Sequence, residues 1–305
     1  MYWRLSLADY YSYLGYKEVC QQVPIQFPPQ HQSVQPGLET LMVPKPVFDN
    51  PDYIGTGKLE DKVALVTGGD SGIGRAVSLA FAKEGADVCI VYYDEHDDAQ
   101  ITKSYVEAQG RKCLLISGDV RDELFCQNAV SETVSSLGRL DVLVNNAGVQ
   151  FPQDGIENIA VEQMVLTFEV NFFGIFIMTK AVLPHLKDGS TIINTTSVTA
   201  YAGNDQLIDY SSTKGAIVSF TRSMARSLVS RGIRVNAVAP GPIWTPLQPS
   251  SWPADYIPTF GSNTPMKRAG QPVELAPTYV YLASNDSSFV TGQVLHVDGG
   301  QSMQS

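Results

Sequence analysis

The 305-residue sequence predicts an α/β fold: a doubly wound parallel seven-stranded sheet, built as a single domain behind an irregular N-terminal arm. Three observations predict it. After Lys58, seven apolar runs (KVALVTG, ADVCIVYY, RKCLLISG, LDVLVNN, STIINTTS, IRVNAVAP and GQVLHVDG) alternate with about six amphipathic segments of helix length. The runs are near-continuous in Val, Ile, Leu and Ala, as strands covered on both faces must be, rather than alternating apolar with polar. No internal repeat or second boundary interrupts the stretch, whose ~250 residues one such domain can fill.

Residues 1–57 are the predicted arm. From Gln21 to Gly57 the chain is rich in Pro and Gln and carries no helical or strand period. Phe27, Leu38, Met42, Val47, Phe48 and Tyr53 recur through it, so the arm is expected to pack along the main domain or a neighbouring subunit. The first twenty residues are rich in aromatics and have no assigned role.

Residues 58–305 are the predicted domain. Its first strand runs into GDSGIGRAVSLAFAKEG, a turn followed by a helix. At the carboxyl edge of such a sheet this turn meets ligand. Gly68, Gly72 and Gly74 therefore read as a phosphate cradle, supplying a tight bend, room for a pyrophosphate, and close packing of helix on strand. The second strand ends at VYYDEHDD, and Asp94 lies twenty residues past Gly74, about where an acid would bind adenosine ribose hydroxyls. Asp119 ends the third strand in GDV, and a helix N-cap is one reading of it taken by itself. NNAG (Asn145 to Gly148) closes the fourth strand, Ser197 stands at the end of the fifth, and PGPIWTP closes the sixth. Residues 244–270, rich in Pro and aromatics, are expected to form a substrate lid lining a pocket with Gln150, Phe151, Val198, Thr199 and Tyr201.

In YSSTK, Tyr210 and Lys214 share one face of a helix, a turn apart. A free phenol titrates near ~10, and a neighbouring ammonium favours the phenolate, so the pair makes sense as a proton-transfer unit. The spacing alone is commonplace; its position among the other motifs gives it weight.

Composition excludes several classes. Net charge is −10, and the 21 Lys and Arg residues form no run, which argues against a nucleic-acid surface. Apolar stretches such as FFGIFIM are shorter than the ~20 residues of a bilayer span, so no membrane partner is expected. The amino terminus has no apolar signal core, and a cytoplasmic location is the expectation. Cys20, Cys89, Cys113 and Cys126 form no CxxC pair and are expected to be buried free thiols. His31, His96, His185 and His296 are dispersed without metal-ligand spacing, so no metal is expected.

The spacing TGGDSGIG, Thr67 to Gly74, matches the loop TGxxxGIG of the short-chain dehydrogenase/reductase family, which the chain resembles from Lys58 to roughly Gly300. The Pro/Gln arm and the wording GGDSGIGRAV are similar to a subgroup of stress-associated oxidoreductases, aldehyde reductases and glucose/ribitol dehydrogenases. The resemblance implies a Rossmann-type fold. It also implies an NAD(P)-dependent enzyme interconverting an alcohol and an aldehyde or ketone by hydride transfer. It brings Asp70, Ser71 and Ile73 into the phosphate cradle with Gly68, Gly72 and Gly74. The family's acidic position after the second strand falls on Tyr92, with Tyr93 next, so Tyr93 and Asp94 are the ribose candidates. Asp119 and Val120 would meet adenine, and Asn146, Ala147 and Gly148 would run beside the ribose. Pro240 and Gly241 would line the cofactor, and the Ile243 backbone and Thr245 would hold the carboxamide.

For the chemistry, the resemblance implies Ser197 on the reacting oxygen, Tyr210 as acid/base, Lys214 on the ribose and beside the phenol, and Asn171 holding a water that links Lys214 to solvent. No Arg or Lys near the second strand invites a 2′-phosphate, which favours NAD and leaves NADP open. The implied partners are a small-molecule carbonyl or alcohol and further copies of the chain in a homotetramer. Two alternatives stay in view. A sugar-nucleotide epimerase or dehydratase would usually carry GxxGxxG and a larger carboxy-terminal domain; a non-catalytic dinucleotide sensor would usually lose the Tyr or the Lys.

Overall fold

A computed structural model of the chain describes residues 15–18 and 22–302. Cys20 and most of the aromatic amino terminus lie outside the described residues. The domain sheet contains β3 (Val63–Thr67), β4 (Asp87–Tyr92), β5 (Cys113–Ser117), β6 (Val142–Asn145), β7 (Thr191–Thr195), β8 (Arg234–Pro240) and β9 (Val294–Val297). Their order is β5-β4-β3-β6-β7-β8-β9, with every pairing parallel. The chain winds outward in both directions from β3 and β6, so a crevice opens at their carboxyl ends, where ligands bind in such sheets.

Why the strands are apolar on both faces follows from their alternate contacts. Ala64, Val66, Val88 and Ile90 pack with α1 (Gly72–Lys83), α2 (His96–Glu107) and α8 (Pro272–Ala283). Val63, Leu65, Cys89 and Val91 pack on the other face with α3 (Glu123–Leu137), α5 (Gly174–Val182) and α7 (Ile208–Leu228). Local signals set the helix ends. The Asp122 carboxylate accepts from the N–H groups of Leu124 and Phe125 and starts α3, and Gly138, with φ of 87°, ends it. Gln271 and Glu274 form a capping box at α8, with Pro272 as its first residue.

The helix before β7 runs from α4 (Val161–Phe168) through a π-helical turn (Glu169–Phe173) into α5. By length and apolar composition, Val161–Val182 would suffice to cross a membrane, which the uninterrupted apolar runs of the sequence do not reveal. Here it is built into the domain, with Thr167, Asn171 and Thr179 buried. A short helix, α6 (Thr199–Ala202), follows β7.

The arm is less irregular than its sequence suggests. It holds an antiparallel hairpin, β1 (Tyr16–Glu18) with β2 (Gln22–Pro24), and a 3₁₀ turn at Glu39–Leu41. It packs along the domain of its own chain. Phe27 stacks on Trp244 at 3.9 Å, and both join Met42, Trp252, Ile257 and Phe260 in a separate core. Further along, Glu84 accepts from Thr56 N at 2.9 Å and Lys58 N at 3.0 Å. Cys89, Cys113 and Cys126 are buried free thiols.

Candidate active site

The carboxyl ends of the central strands open into a cavity of about 420 Å³. At one end stands the β3–α1 turn. Gly72 begins α1 with φ of +50° on the cavity wall, and a Cβ there would stand 3.0 Å from Thr245 Cγ2. Gly74 is not on the wall. It lets α1 approach the turn so closely that a Cβ would stand 1.8 Å from Gly68 O. Gly68, Asp70, Ser71 and Ile73 line the cavity with Gly72. The first-turn N–H groups of a helix lack intrahelical partners and form an anion site.

The wall beyond β4 departs from sequence counting. Asp94 is exposed and lies off the wall; Tyr92, Tyr93 and the buried Glu95 line it. The turn after β4 folds Glu95 inward, where it accepts from Tyr93 N at 3.2 Å and Asp94 N at 3.0 Å. Burial raises both the Asp70 and the Glu95 carboxyl above the ordinary carboxylate range, and the charge of Asp70 adds to the shift at Glu95.

Asp119 and Val120 lie on the same wall, and so does Arg121, a cation the sequence reading left out. Arg121 is committed: its Nε donates to Asp119 Oδ2 at 2.9 Å, its Nη2 to the same oxygen at 2.6 Å, and its Nη1 to Glu169 at 3.3 Å. Burial opposes the Asp119 carboxylate, but the hydrogen bonds and charge of Arg121 hold its pKa below the ordinary value.

Asn146, Ala147 and Gly148 form the floor. The Thr67 hydroxyl accepts from Asn146 N at 3.0 Å and Ala147 N at 3.2 Å, while Asn146 Nδ2 donates to Gly68 O at 3.0 Å. Asn145 Nδ2 donates to Asn194 Oδ1 at 2.9 Å and so joins β6 to β7. Pro240, Gly241, Ile243 and Thr245 supply the wall beyond β8.

At the far end, Ser197, Tyr210 and Lys214 converge on the cavity. Ser197 Oγ accepts from Thr199 N at 3.1 Å and is hydrogen-bonded to the Tyr210 phenol. One turn along α7, Lys214 Nζ lies 5.3 Å from the Tyr210 ring centroid and donates to Thr195 O at 3.1 Å. The expected lowering of the phenol by this lysine is not what the cleft produces. Burial dominates both groups: it pushes the phenol up to about 12, against the hydrogen bond from Ser197, and pulls the ammonium down to about 8.

Asn171 lies behind the wall rather than on it, in the π turn. Its Oδ1 accepts from Val149 N at 2.8 Å and its Nδ2 donates to Val149 O at 2.9 Å. A Cβ on Gly148 would meet Asn171 Oδ1 at 3.2 Å and Lys214 Nζ at 3.6 Å, so the asparagine and the lysine flank one backbone position.

The segment 244–270 needs correction as an aromatic lid. Trp244, Trp252 and Phe260 face the core shared with the arm, and Trp244 Nε1 donates to Pro44 O at 2.9 Å. What the segment gives the cavity is Thr245, Pro246, Leu247 and Gln248. Of Gln150, Phe151, Val198, Thr199 and Tyr201, Phe151 alone is on the wall; the Tyr201 ring meets His296 at 4.6 Å instead. The arm supplies the missing part of the wall as Gln35, Pro36 and Gly37. No periodicity in the sequence marks those three.

A doubly wound sheet, a glycine cradle at a helix amino terminus and a serine, tyrosine and lysine at the opposite end of one cavity define a dinucleotide-binding oxidoreductase domain. Residues 68–302 match the family described as Enoyl-(Acyl carrier protein) reductase. General stress protein 39 of Bacillus subtilis (strain 168) is 60% identical over 277 residues, covering 91% of this chain and 97% of that protein. NADPH-dependent aldehyde reductase 1, chloroplastic, of Arabidopsis thaliana is 51% identical over 278 residues, covering 89% and 96%. A short-chain dehydrogenase from Burkholderia cenocepacia J2315, solved in complex with NADP, superposes with a TM-score of 0.75 at 32% identity, covering 80% of this chain and 98% of that one. The chain belongs to the short-chain dehydrogenase/reductase family. It is an NAD(P)-dependent oxidoreductase of the type acting on CH–OH groups. The cavity fits such a cofactor: a glycine at Gly72 where a Cβ would crowd Thr245 on the wall, a helix amino terminus beside it, and hydroxyls and amides among the lining residues.

Proposed function

We propose that the chain interconverts an aldehyde or ketone and the corresponding alcohol, with Tyr210 exchanging the proton. The observation that carries this reading is that Ser197, Tyr210 and Lys214 line the same cavity as the glycine cradle, with Ser197 hydrogen-bonded to the phenol and Lys214 beside its ring. The bound nicotinamide supplies or accepts the hydride. Ser197 Oγ accepts from Thr199 N–H, so its single proton serves the phenol and can be redirected to the substrate oxygen. Burial keeps the phenol protonated at neutral pH, the state that donates to a carbonyl oxygen during reduction. In the oxidative direction the transfer runs the other way: Oη first gives up its own proton towards solvent and then takes that of the alcohol. Lys214 stands within reach of the phenol ring and the floor at Gly148, and Asn171 holds that floor through Val149. These positions support roles in fixing the cofactor ribose and in returning protons to the phenol.

For the dinucleotide we propose NAD in preference to NADP. Asp70 and Glu95 line the adenosine end, and Arg121 is already bound by Asp119 and Glu169. A 2′-hydroxyl can donate to a carboxyl oxygen in either protonation state, whereas a 2′-phosphate would have to draw Arg121 away from Asp119 and Glu169. The names of the Arabidopsis and Burkholderia proteins point to NADPH and NADP in those relatives. The Arabidopsis name also supports aldehydes as the substrate class. Exposed Val161, Met164, Val165, Phe173 and Phe176 along one helix support the homotetramer. Buried free thiols at Cys89, Cys113 and Cys126 support the cytoplasm.

Dissociation constants for NADH and NADPH, with turnover on a panel of aldehydes, ketones and sugars, test the reading. Tyr210→Phe is expected to lose about 10³-fold or more in turnover while binding NADH as the parent does. Retained turnover in that variant sinks the assignment.

A further inference from the structure

The arm stretch Gln35–Glu39 touches three of the segments that build the cleft. The Gln35 side-chain amide donates to Gln150 O at 2.6 Å and accepts from Gln150 N at 3.2 Å, clasping the chain just beyond NNAG. Gly37 approaches the segment after β8 so closely that a Cβ would stand 2.6 Å from Pro246 O and 2.8 Å from Ser250 Cβ. Glu39, 1% exposed, accepts from Gly72 N at 2.7 Å and forms an ion pair with Arg75.

A carboxylate this deeply buried persists only with partners, and here the partners are the first N–H of α1 and a guanidinium in its first turn. The arm side of that contact is itself anchored, since Glu39 N donates to Asp98 Oδ2 at 2.7 Å. Ile73, next in the turn, lines the cavity. Orienting Gly72 and Arg75 therefore orients the N–H groups that a phosphate would meet.

We infer that Gln35–Glu39 is a positioning element of the dinucleotide cleft: Glu39 sets the first turn of α1 at the phosphate cradle, and Gln35 ties the arm to the chain that follows β6, one residue before the wall residue Phe151. A cofactor site in this chain is thus completed by the arm as well as by the sheet. The inference rests on the dinucleotide reading, and its test keeps the two apart.

NADH or NADPH, whichever the parent binds tighter, is titrated into the full-length parent, Glu39→Ala and Gln35→Ala by nicotinamide fluorescence. Adenosine, which lacks the pyrophosphate, is titrated in parallel by ligand-observed NMR. Glu39→Ala is expected to raise the dinucleotide Kd about tenfold, equivalent to ~1.4 kcal/mol, with the adenosine Kd unchanged within about twofold. Gln35→Ala, at a half-buried position, is expected to raise the dinucleotide Kd about threefold with an unchanged melting temperature. Parent protein that binds neither dinucleotide ends the dinucleotide reading itself. If the parent binds, the arm inference falls on parental affinity in both variants or on equal weakening of dinucleotide and adenosine. It falls also on tighter binding by Glu39→Ala, which would make Glu39 a competitor of the phosphate. Should Glu39→Ala fail to fold, Gln35→Ala decides alone.

Discussion

Replacing Lys214 by Met separates what the ammonium contributes to chemistry from what its burial costs the fold. Met is unbranched and of similar length, so α7 and the cavity wall keep their shape. Lys214 is 3% exposed, and burial pulls its pKa from 10.5 to about 8. Each pKa unit corresponds to ~1.4 kcal/mol of differential interaction, so holding the charge in the cofactor-free cleft costs ~3 kcal/mol below pH 8. Removing the hydrogen bond to Thr195 O returns ~1 kcal/mol of that, leaving the variant more stable by ~2 kcal/mol at pH 7.

The pH dependence has a definite sign. Between pH 8 and 10.5 the unfolded parent binds more protons at Lys214 than the folded parent, so the stability of the parent rises with pH across that window. The advantage of the variant is fully present below pH 8 and shrinks towards pH 10.5. Urea unfolding of both proteins at pH 7 and at the upper end of the window measures this, with turnover followed in parallel and expected to collapse. A variant less stable than its parent at pH 7, or a stability difference indifferent to pH, would refute burial as the dominant force on this lysine.

Two further outcomes follow from close contacts. Gly74→Ala places a Cβ 1.8 Å from Gly68 O, a backbone atom that no rotamer change can move aside. Helix α1 must shift off its strand, so dinucleotide binding should vanish in a fluorescence titration; parental affinity would contradict the cradle geometry. Trp244→Ala empties a fully buried site stacked on Phe27 and should cost ~3–5 kcal/mol. Because Phe27 then loses its partner, limited proteolysis should cut the arm faster than in the parent, and equal resistance would show that the arm is held by other contacts.

Sequence alone determined the sheet. Val63 and Leu65 face one helical layer while Ala64 and Val66 face the other, so consecutive residues had to be apolar, and that demand is visible in any five-residue window. The relation of Tyr210 to Lys214 was equally legible, because a helix brings residues four apart onto one face whatever surrounds it. Tertiary structure decided the rest. Whether Asp94 or Glu95 enters the cavity depends on the turn after β4, which counting from Gly74 does not resolve. The arm has no period because its side chains answer to scattered partners: Phe27 to Trp244, Gln35 to Gln150, Glu39 to Gly72 and Arg75. Phe27 and Met42 of the arm share a core with Trp244, Trp252 and Phe260, which turns those aromatics away from the cavity. The titration of Tyr210 and Lys214 depends on how completely the packed chain excludes water from them, and their spacing carries no record of it. Local pattern encodes which face of an element is covered; what covers it is settled only when distant parts of the chain compete for the same apolar surface and the same buried donors.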